Sequence, residues 1–317
     1  MNAAALELFW QLGPEPVSGQ ALAERCGVTR AAVWKWIETL RAAGLDVESV
    51  AGAGYRVETA AEPLSARRIR DRMNDGGPEV EVVPVVDSTN AALSGTGFRH
   101  RHAVLAEYQT AGRGRRGRGW ACPPGAGLCL SLAYRFDCGL PRLGPLSLVA
   151  GIAVARAVEA ASGVRAELKW PNDLLVGGRK LAGLLTELRG AVDGPCDVVV
   201  GFGLNVRMPS GAIDPGQPWT DLCREGAESP GRNDLAAAVI DALDRAFAEF
   251  ERDGFEAFAE AWTERDALAG RDVVAADAAG PVTRGRAAGV SPRGGLWLET
   301  DDGRIELTAG EVSIRAA

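Results

Sequence analysis

The sequence predicts an α+β chain in three parts: an N-terminal winged helix-turn-helix, a central mixed β-sheet with flanking helices, and a C-terminal SH3-like β-barrel. Three observations carry this. The first sixty or so residues hold three short helical patterns followed by a glycine-turned pair of strands. From Val80 to Ala267 apolar strand patterns alternate with longer helices, and from Gly270 onward only short strands remain, separated by turn residues. With 317 residues, 46% of them apolar and 24% charged, the chain exceeds one comfortable core. The expected domains are 1–61, 62–268 and 269–317.

Residues 3–12 read as the first helix. Ser18 is placed to cap a second helix that runs through Cys26, with a turn at Gly27. Thr29 caps a third helix to about Ala43, where Val33, Ile37 and Leu40 form the apolar stripe and Gly44 supplies the stop. Its other face carries Arg30, Lys35 and Arg41. A strand over 46–50, a glycine turn at 51–54 and a returning strand over 55–57 complete a winged helix-turn-helix. Through Thr59 five basic residues stand against seven acidic ones, so a purely structural helical module is the competing reading. DNA binding is favoured because the basic residues gather on the helix that would enter the groove. Trp34 and Trp36 on that helix predict that at least one of them packs inward or against a neighbouring domain.

Residues 60–63 read as a linker. Strands are expected at Val80–Val86, Ala103–Tyr108, Gly127–Tyr134, Glu167–Trp170, Leu181–Leu188 and Asp197–Leu204, with a buried helix at Leu146–Ala161. Asn233–Phe250 is an amphipathic helix with Leu235, Val239, Leu243 and Phe247 on one face, and Gly254–Ala267 adds a last helix. The barrel strands are Val273–Val274, Arg286–Val290, Leu296–Glu299, Ile305–Leu307 and Val312–Ile314, with Asp302-Gly303 as a hairpin signal.

Composition excludes several chemistries. No apolar run approaches the ~18 residues of a membrane span, and the first twenty residues lack a secretory pattern, so the expectation is a cytoplasmic protein with no membrane partner. The six cysteines form no CxxC pair, and only His100 and His102 are available, read as surface residues; no metal site is expected. The net charge of −7 argues against a uniformly basic surface. Of 35 basic residues only Lys35, Lys169 and Lys180 are lysine. Against so strong an arginine bias, a lysine marks a place where a compact ammonium is needed.

Two stretches carry chemistry. Residues 112–119 pack four glycines and four arginines, Arg113, Arg115, Arg116 and Arg118, into one loop before Trp120. Backbone N–H groups and guanidiniums together suit phosphate or carboxylate oxygens. The loop also matches G-x-G-x-x-G, but Pro123 and Pro124 follow where a dinucleotide fold needs a helix, so that fold is rejected. The second stretch is Lys169-Trp170-Pro171-Asn172-Asp173, followed by a hairpin returning through Arg179 and Lys180. It brings two rare lysines and a carboxylate together, and an ammonium there can stabilise charge on a phosphate without losing its proton.

Asp87-Ser88-Thr89-Asn90, Glu107-Tyr108-Gln109, the GRGRRGR loop at 112–118, KWPND at 169–173, RKLAG at 179–183 and Gly203-Leu204-Asn205-Val206 resemble, in this order, the biotin protein ligases. The leading winged helix resembles the bifunctional ligase/repressor type. The resemblance implies a central domain of the class II synthetase and biotin/lipoate ligase kind. It implies that Ser88, Thr89, Asn90, Gln109, Arg113, Gly114, Arg115 and Lys180 hold biotin, and that Arg115, Arg116, Arg118, Trp120, Asn172, Lys180 and Asn205 hold ATP or the adenylate. Lys180, Arg115, Asp173 and Lys169 are the expected catalytic group, and Arg30, Lys35 and Arg41 the expected DNA contacts. Gly119 stands where relatives often carry a lysine.

The implied reaction joins biotin to ATP, with Mg²⁺, as biotinyl-5′-AMP, and transfers biotin to a lysine of a biotin carboxyl carrier protein. Operator DNA and an adenylate-dependent homodimer are the further implied partners. The competing readings are a lipoate ligase-like enzyme, against which the arginine-rich loop speaks, and a ligand-sensing regulator without turnover.

Overall fold

The computed structural model describes the whole chain except residues 59–60, 210–215, 229–230, 277–281, 309–312 and 317. Its first unit comprises helices α1 (Ala3–Phe9), α2 (Gly19–Cys26) and α3 (Arg30–Ala42) and strands β1 (Glu48–Val50) and β2 (Gly54–Arg56). The caps lie where the sequence places them. Ser18 Oγ accepts from the Ala21 amide and Thr29 Oγ1 from the Ala32 amide, each satisfying an otherwise orphan helix donor. Gly27 ends α2 in the left-handed conformation, φ 66°. The wing closes on the body because Tyr55 and Val17 exchange both backbone hydrogen bonds. That approach requires glycine at 54, where a Cβ would lie 2.1 Å from the Val17 carbonyl oxygen. Val33, Ile37 and Leu40 are fully buried in a core shared with Leu8, Leu22 and Val47. Trp36 packs against this core, whereas Trp34 stands in solvent.

The central unit adds α4 (Ala66–Arg70), β3 (Glu79–Val86), α5 (Thr89–Ala92), β4 (His102–Gln109), β5 (Gly127–Phe136), α6 (Leu146–Ser162), β6 (Glu167–Lys169), β7 (Asp173–Val176), β8 (Arg179–Gly190), β9 (Cys196–Asn205), α7 (Arg232–Asp253) and α8 (Glu256–Thr263). Its seven strands run in the order β3-β4-β5-β9-β8-β7-β6, parallel between β3 and β4 and antiparallel elsewhere. α6 and α7 pack together, α6 against β8 and α7 against β5, where Tyr134, Phe136, Phe247 and Phe250 interlock edge to face. The stretch Leu140–Ser162 is long and apolar enough to cross a membrane, contrary to the expectation from the sequence. Its apolarity is explained by burial, since eleven residues of α6 lie inside this core. The final helix is shorter than expected, Glu256–Thr263, and α4, α5 and β7 were not anticipated.

The third unit holds β10 (Asp272–Ala276), β11 (Thr283–Val290), β12 (Leu296–Thr300), β13 (Gly303–Leu307) and β14 (Ser313–Ala316). They form an antiparallel sheet in the order β13-β12-β11-β10-β14, so among the described residues the edges β13 and β14 do not meet and no closed barrel forms. Val312, expected to open the last strand, and Ala60, expected to open the linker, lie outside the described residues. Trp170 joins this sheet to the central one: its indole is buried and donates to the Gly294 carbonyl at 3.0 Å.

All six cysteines are free thiols, and hydrogen bonding to Cys129 together with burial raises the Cys122 thiol's pKa well above its usual value. His102 is buried rather than on the surface; its Nε2 accepts from Arg99 at 2.9 Å, and burial pushes its pKa down.

A buried ion pair lies in the central unit where the first unit approaches it. Arg232, at the start of α7, lies 2.9 Å from Glu107 of β4, and both side chains are 5% exposed. The guanidinium also donates to the carbonyls of Gly127 and Glu62, the Glu107 carboxylate accepts from the Leu64 amide, and Trp10 of the first unit faces the guanidinium at 5.8 Å. Removing one partner leaves a buried charge uncompensated. Arg232→Ala is therefore expected to destabilise the chain by about 3–5 kcal/mol, and Glu107→Leu with Arg232→Met to recover most of that loss. Urea unfolding followed by tryptophan fluorescence measures both; a midpoint for Arg232→Ala equal to wild type contradicts the assignment.

Candidate active site

The site forms on the face of the central sheet that carries α5. β7 and β8 make a tight hairpin through Gly177 and Gly178, both with positive φ, as a two-residue turn of this hand requires. A register shift between Leu174 and Leu175 then sets Lys180 and Asp173 side by side. Lys180 Nζ lies 2.7 Å from Asp173 Oδ1, with the two side chains 14% and 17% exposed. Gly183 provides the room, since a Cβ there would stand 3.1 Å from Lys180 Cε.

Gly201 and Gly203 of β9 continue this floor. A Cβ at Gly201 would strike Asn90, and one at Gly203 would lie 2.3 Å from the Trp120 indole. Lys180 Nζ stands 5.7 Å from that ring, within cation–π range.

The arginine loop is a closed hairpin. Arg113 and Gly119 bridge, the Gly114 amide donates to the Arg118 carbonyl at 2.7 Å, and the Trp120 amide donates to the Gly112 carbonyl. Arg115 turns inward; its guanidinium donates to Asn172 Oδ1 at 3.3 Å, and burial lowers its pKa while Asp173 opposes the shift. Arg113 pairs with Glu187 at 3.2 Å. Arg116 is exposed at the tip with φ 59°, and Arg118 lies on the cavity wall. Nothing but the Gly112 carbonyl, at 3.9 Å, stands near a Cβ at Gly119, so the position admits a side chain.

Two adjoining cavities result. The smaller, about 100 Å³, is walled by Ser88, Thr89, Asn90, Gln109, Arg113, Gly114, Arg115 and Lys180, all expected at the biotin end, together with Asn172 and Asp173. The larger, about 900 Å³, shares Gln109, Arg118, Trp120 and Lys180 and extends past Asn205 and Trp219 to Arg41–Gly44 at the end of α3. Lys169 lies in neither wall; it sits half-buried on β6, in register with Asp173.

Hydrogen bonding separates the groups that face a ligand from those that brace the site. Ser131 Oγ is 2.6 Å from Asn90 Oδ1 and 2.7 Å from Thr89 Oγ1. An amide oxygen only accepts, so the single serine proton goes to Asn90. Asn90 Nδ2 in turn donates to the Leu185 carbonyl and to Glu187. Its amide is spent on the protein, and it acts as a strut. Thr89 N–H donates to Gln109 Oε1 at 2.8 Å, which aims the Gln109 amide. Asn172 Nδ2 donates to the Leu184 carbonyl, locking the KWPND turn onto β8.

Two buried polar atoms have no partner here, Trp120 Nε1 and Asn205 Oδ1: one donor and one acceptor beside the larger cavity. Asn205 Nδ2 is held by the Thr220 carbonyl, and the segment around Trp219 is pinned because Lys180 N–H donates to the Pro218 carbonyl. Ser131, Glu187, Trp219 and Gly201 of the glycine floor were not singled out from the sequence, and Gly183 and Gly203 entered only as parts of the motifs at 179–183 and 203–206. The alternation Gly201-x-Gly203 on an otherwise apolar strand is the one local signal that could have found part of it.

Of the expected DNA contacts, Arg30 and Lys35 are exposed on α3, whereas Arg41 is turned to the wing. It donates to the Val47 carbonyl, Ser49 Oγ and Glu38.

Comparison with known proteins fits this arrangement. Residues 82–205 match the biotin/lipoate A/B protein ligase family, residues 4–56 an HTH domain and residues 269–315 the biotin protein ligase C-terminal domain. The chain is 39% identical over 303 residues to the bifunctional ligase/repressor BirA of Salmonella typhimurium, covering 95% of this chain and 93% of that one. To the protein of the same name from Bacillus spizizenii it is 32% identical over 316 residues, covering 98% and 97%. Among solved structures, the biotin protein ligase from Aquifex aeolicus in complex with biotin and ATP superposes with a TM-score of 0.65 at 26% identity, over 75% of this chain and 99% of that one.

The floor can be tested directly. Gly203→Ala is expected to push the Trp120 indole out of its seat, at about 1–3 kcal/mol for overpacking, and to increase iodide quenching of tryptophan fluorescence. That increase should vanish in a Trp120→Phe background; equal quenching of wild type and Gly203→Ala contradicts the packing described.

Proposed function

The chain belongs to the biotin protein ligases of the bifunctional ligase/repressor type, and on that premise we propose that its cavities form biotinyl-5′-AMP from biotin and ATP and pass biotin to a lysine of a biotin carboxyl carrier protein. The observation that carries this reading is the Lys180–Asp173 pair at the junction of the two cavities, beside Arg115 and Trp120. A biotin carboxylate presented from the smaller cavity and an α-phosphate presented from the larger would meet at that ammonium.

Ser88, Thr89 and the Gln109 amide supply the mixed donors and acceptors that a ureido ring needs. The unspent Trp120 N–H and Asn205 carbonyl oxygen suit a ligand that both accepts and donates, as a nucleotide does. In the first step a carboxylate oxygen of biotin attacks the α-phosphorus, the bond to the bridging oxygen breaks, and pyrophosphate leaves. Lys180 and Arg115 stabilise the charge on the crowded phosphorus centre. In the second step a neutral lysine amine of the carrier attacks the acyl carbon, AMP leaves, and the nitrogen loses its proton.

No protein nucleophile takes part. In this reading the arginine hairpin covers the bound mixed anhydride and limits water there. Among the described residues no group of three or more His, Cys, Asp or Glu could hold a metal ion, so Mg²⁺ would arrive on the phosphate oxygens and offset their charge. We assign Lys169, outside both walls, to orienting Asp173 rather than to contact with substrate.

The domain limits we propose are 1–61, 62–268 and 269–317, with a cytoplasmic location. The winged helix is proposed to bind operator DNA through Arg30 and Lys35, with Arg41 bracing the wing. Adenylate-dependent homodimerisation would present two winged helices to a two-fold site, making the protein a biotin-responsive repressor.

Pyrophosphate release from ATP is expected only when biotin is present, and not with lipoate in its place; absence of release with biotin would leave a sensing regulator without turnover. Lys180→Ala is expected to lower that release by about 10²–10³-fold. Lys180→Arg should not restore it, because the planar guanidinium does not fit the niche over Gly183. Undiminished release from Lys180→Ala would sink the assignment of that residue. Sedimentation with and without biotin plus ATP tests the dimer, and an unchanged coefficient counts against it.

A further inference from the structure

We propose that Trp34 is the residue of α3 that reads DNA bases, by apolar contact with thymine methyl groups in the major groove; this rests on the proposed operator binding. Most large apolar side chains of the chain are buried, yet Trp34 is 56% exposed on the outer face of the helix. That face is built as a unit. Arg30, Trp34 and Lys35 lie at i, i+4 and i+5, while Val33, Ile37 and Leu40 hold the opposite stripe in the core. Neither Arg30 nor Lys35 forms an ion pair among the described residues, in contrast to Arg41, which pairs with Glu38 and fastens the wing.

An indole flanked by two uncommitted cations suits a surface that is anionic at its edges and apolar at its centre. Duplex DNA offers that pattern, with phosphates along both walls of a major groove wide enough for an α-helix and thymine methyl groups on its floor. The position within the helix agrees. Thr29 caps α3, so Trp34 lies in its N-terminal half, the part of a recognition helix that reaches base edges. Arg30 and Lys35 then supply attraction that is independent of sequence, and Trp34 supplies discrimination. Arg41 fastens the C-terminal end of α3 to the segment that leads into the wing, so the helix that carries the indole is positioned before DNA arrives.

The test uses the full chain with biotin and Mg-ATP and a pool of random-sequence duplexes. Wild-type protein enriches a preferred duplex, and fluorescence anisotropy then compares that duplex with an unrelated one. Trp34→Ala is expected to lose about 10- to 100-fold affinity for the preferred duplex, the size of one base-contact discrimination, while its affinity for the unrelated duplex stays within about twofold. Replacing the contacted thymine by uracil should weaken wild-type binding and leave Trp34→Ala unaffected. Trp34 lies outside the module's core, so an unchanged melting temperature checks that the variant is folded. Equal affinity of wild type and Trp34→Ala for the preferred duplex overturns the proposal while leaving DNA binding intact. An equal loss on both duplexes, accompanied by weaker self-association, overturns it in favour of a contact between copies of the chain. Failure of wild type to enrich any duplex overturns the operator reading and the proposal with it.

Discussion

A guanidinium and a carboxylate taken out of water together, Arg232 and Glu107, tie the start of α7 to the central sheet beside Trp10 of the first unit. Desolvating two charges is costly, and their attraction offsets the cost only when their remaining donors and lone pairs are also used. Here the carbonyls of Glu62 and Gly127 and the amide of Leu64 use most of them, and Arg232 Nε is the one buried donor of the pair without a partner among the described residues. The pair thus ties the segment after the winged helix, two strands of the central sheet and the start of α7 to one point. It also reaches both neighbouring functions. Trp10 of the first unit faces the same guanidinium, Gln109 lies two residues along from Glu107, and Gly127 is in register with Asn205. The winged helix and the cavity walls therefore both have residues close to this one ion pair.

The cavity itself is an exercise in removing side chains. Gly183, Gly201 and Gly203 hold no more than a hydrogen where Lys180, Asn90 and Trp120 must sit, so three large groups converge without displacing the strands. The charge balance follows from the same convergence. Arg113, Arg115, Arg118 and Lys180 face the cavity with Asp173 close by and Glu187 at the edge, which leaves an excess of positive charge for a polyphosphate and a carboxylate. Compactness explains the one lysine in that set. Lys180 stands between a carboxylate and an indole over a glycine floor, a niche that fits an ammonium and not a planar fork.

What the sequence made legible was local. Ser18 and Thr29 as caps, the 3.6-residue stripe of α3 and the arginine-glycine loop all declare themselves within a few residues, and the structure has them where they were expected. Most of the residues assigned to biotin and nucleotide line the two cavities. What was not legible depended on distant pairings. Glu107 and Arg232 are 125 residues apart, and nothing near either one names its partner. Asn90 read as a ligand-binding amide, because its spending on Ser131, Leu185 and Glu187 can be seen only once β5 and β8 are in register. Arg41 read as a groove contact until the wing folded back to accept its hydrogen bonds. The barrel was inferred from strand spacing alone, which fixes the number of strands but not whether the outer two meet.

The most direct test of biotin ligation is the intact mass of a biotin carboxyl carrier domain after incubation with this protein, biotin and Mg-ATP. The account predicts the mass of one added biotin, located on a single lysine and absent when either biotin or ATP is left out. A carrier of unchanged mass, in a reaction where the protein still consumes ATP, would contradict it.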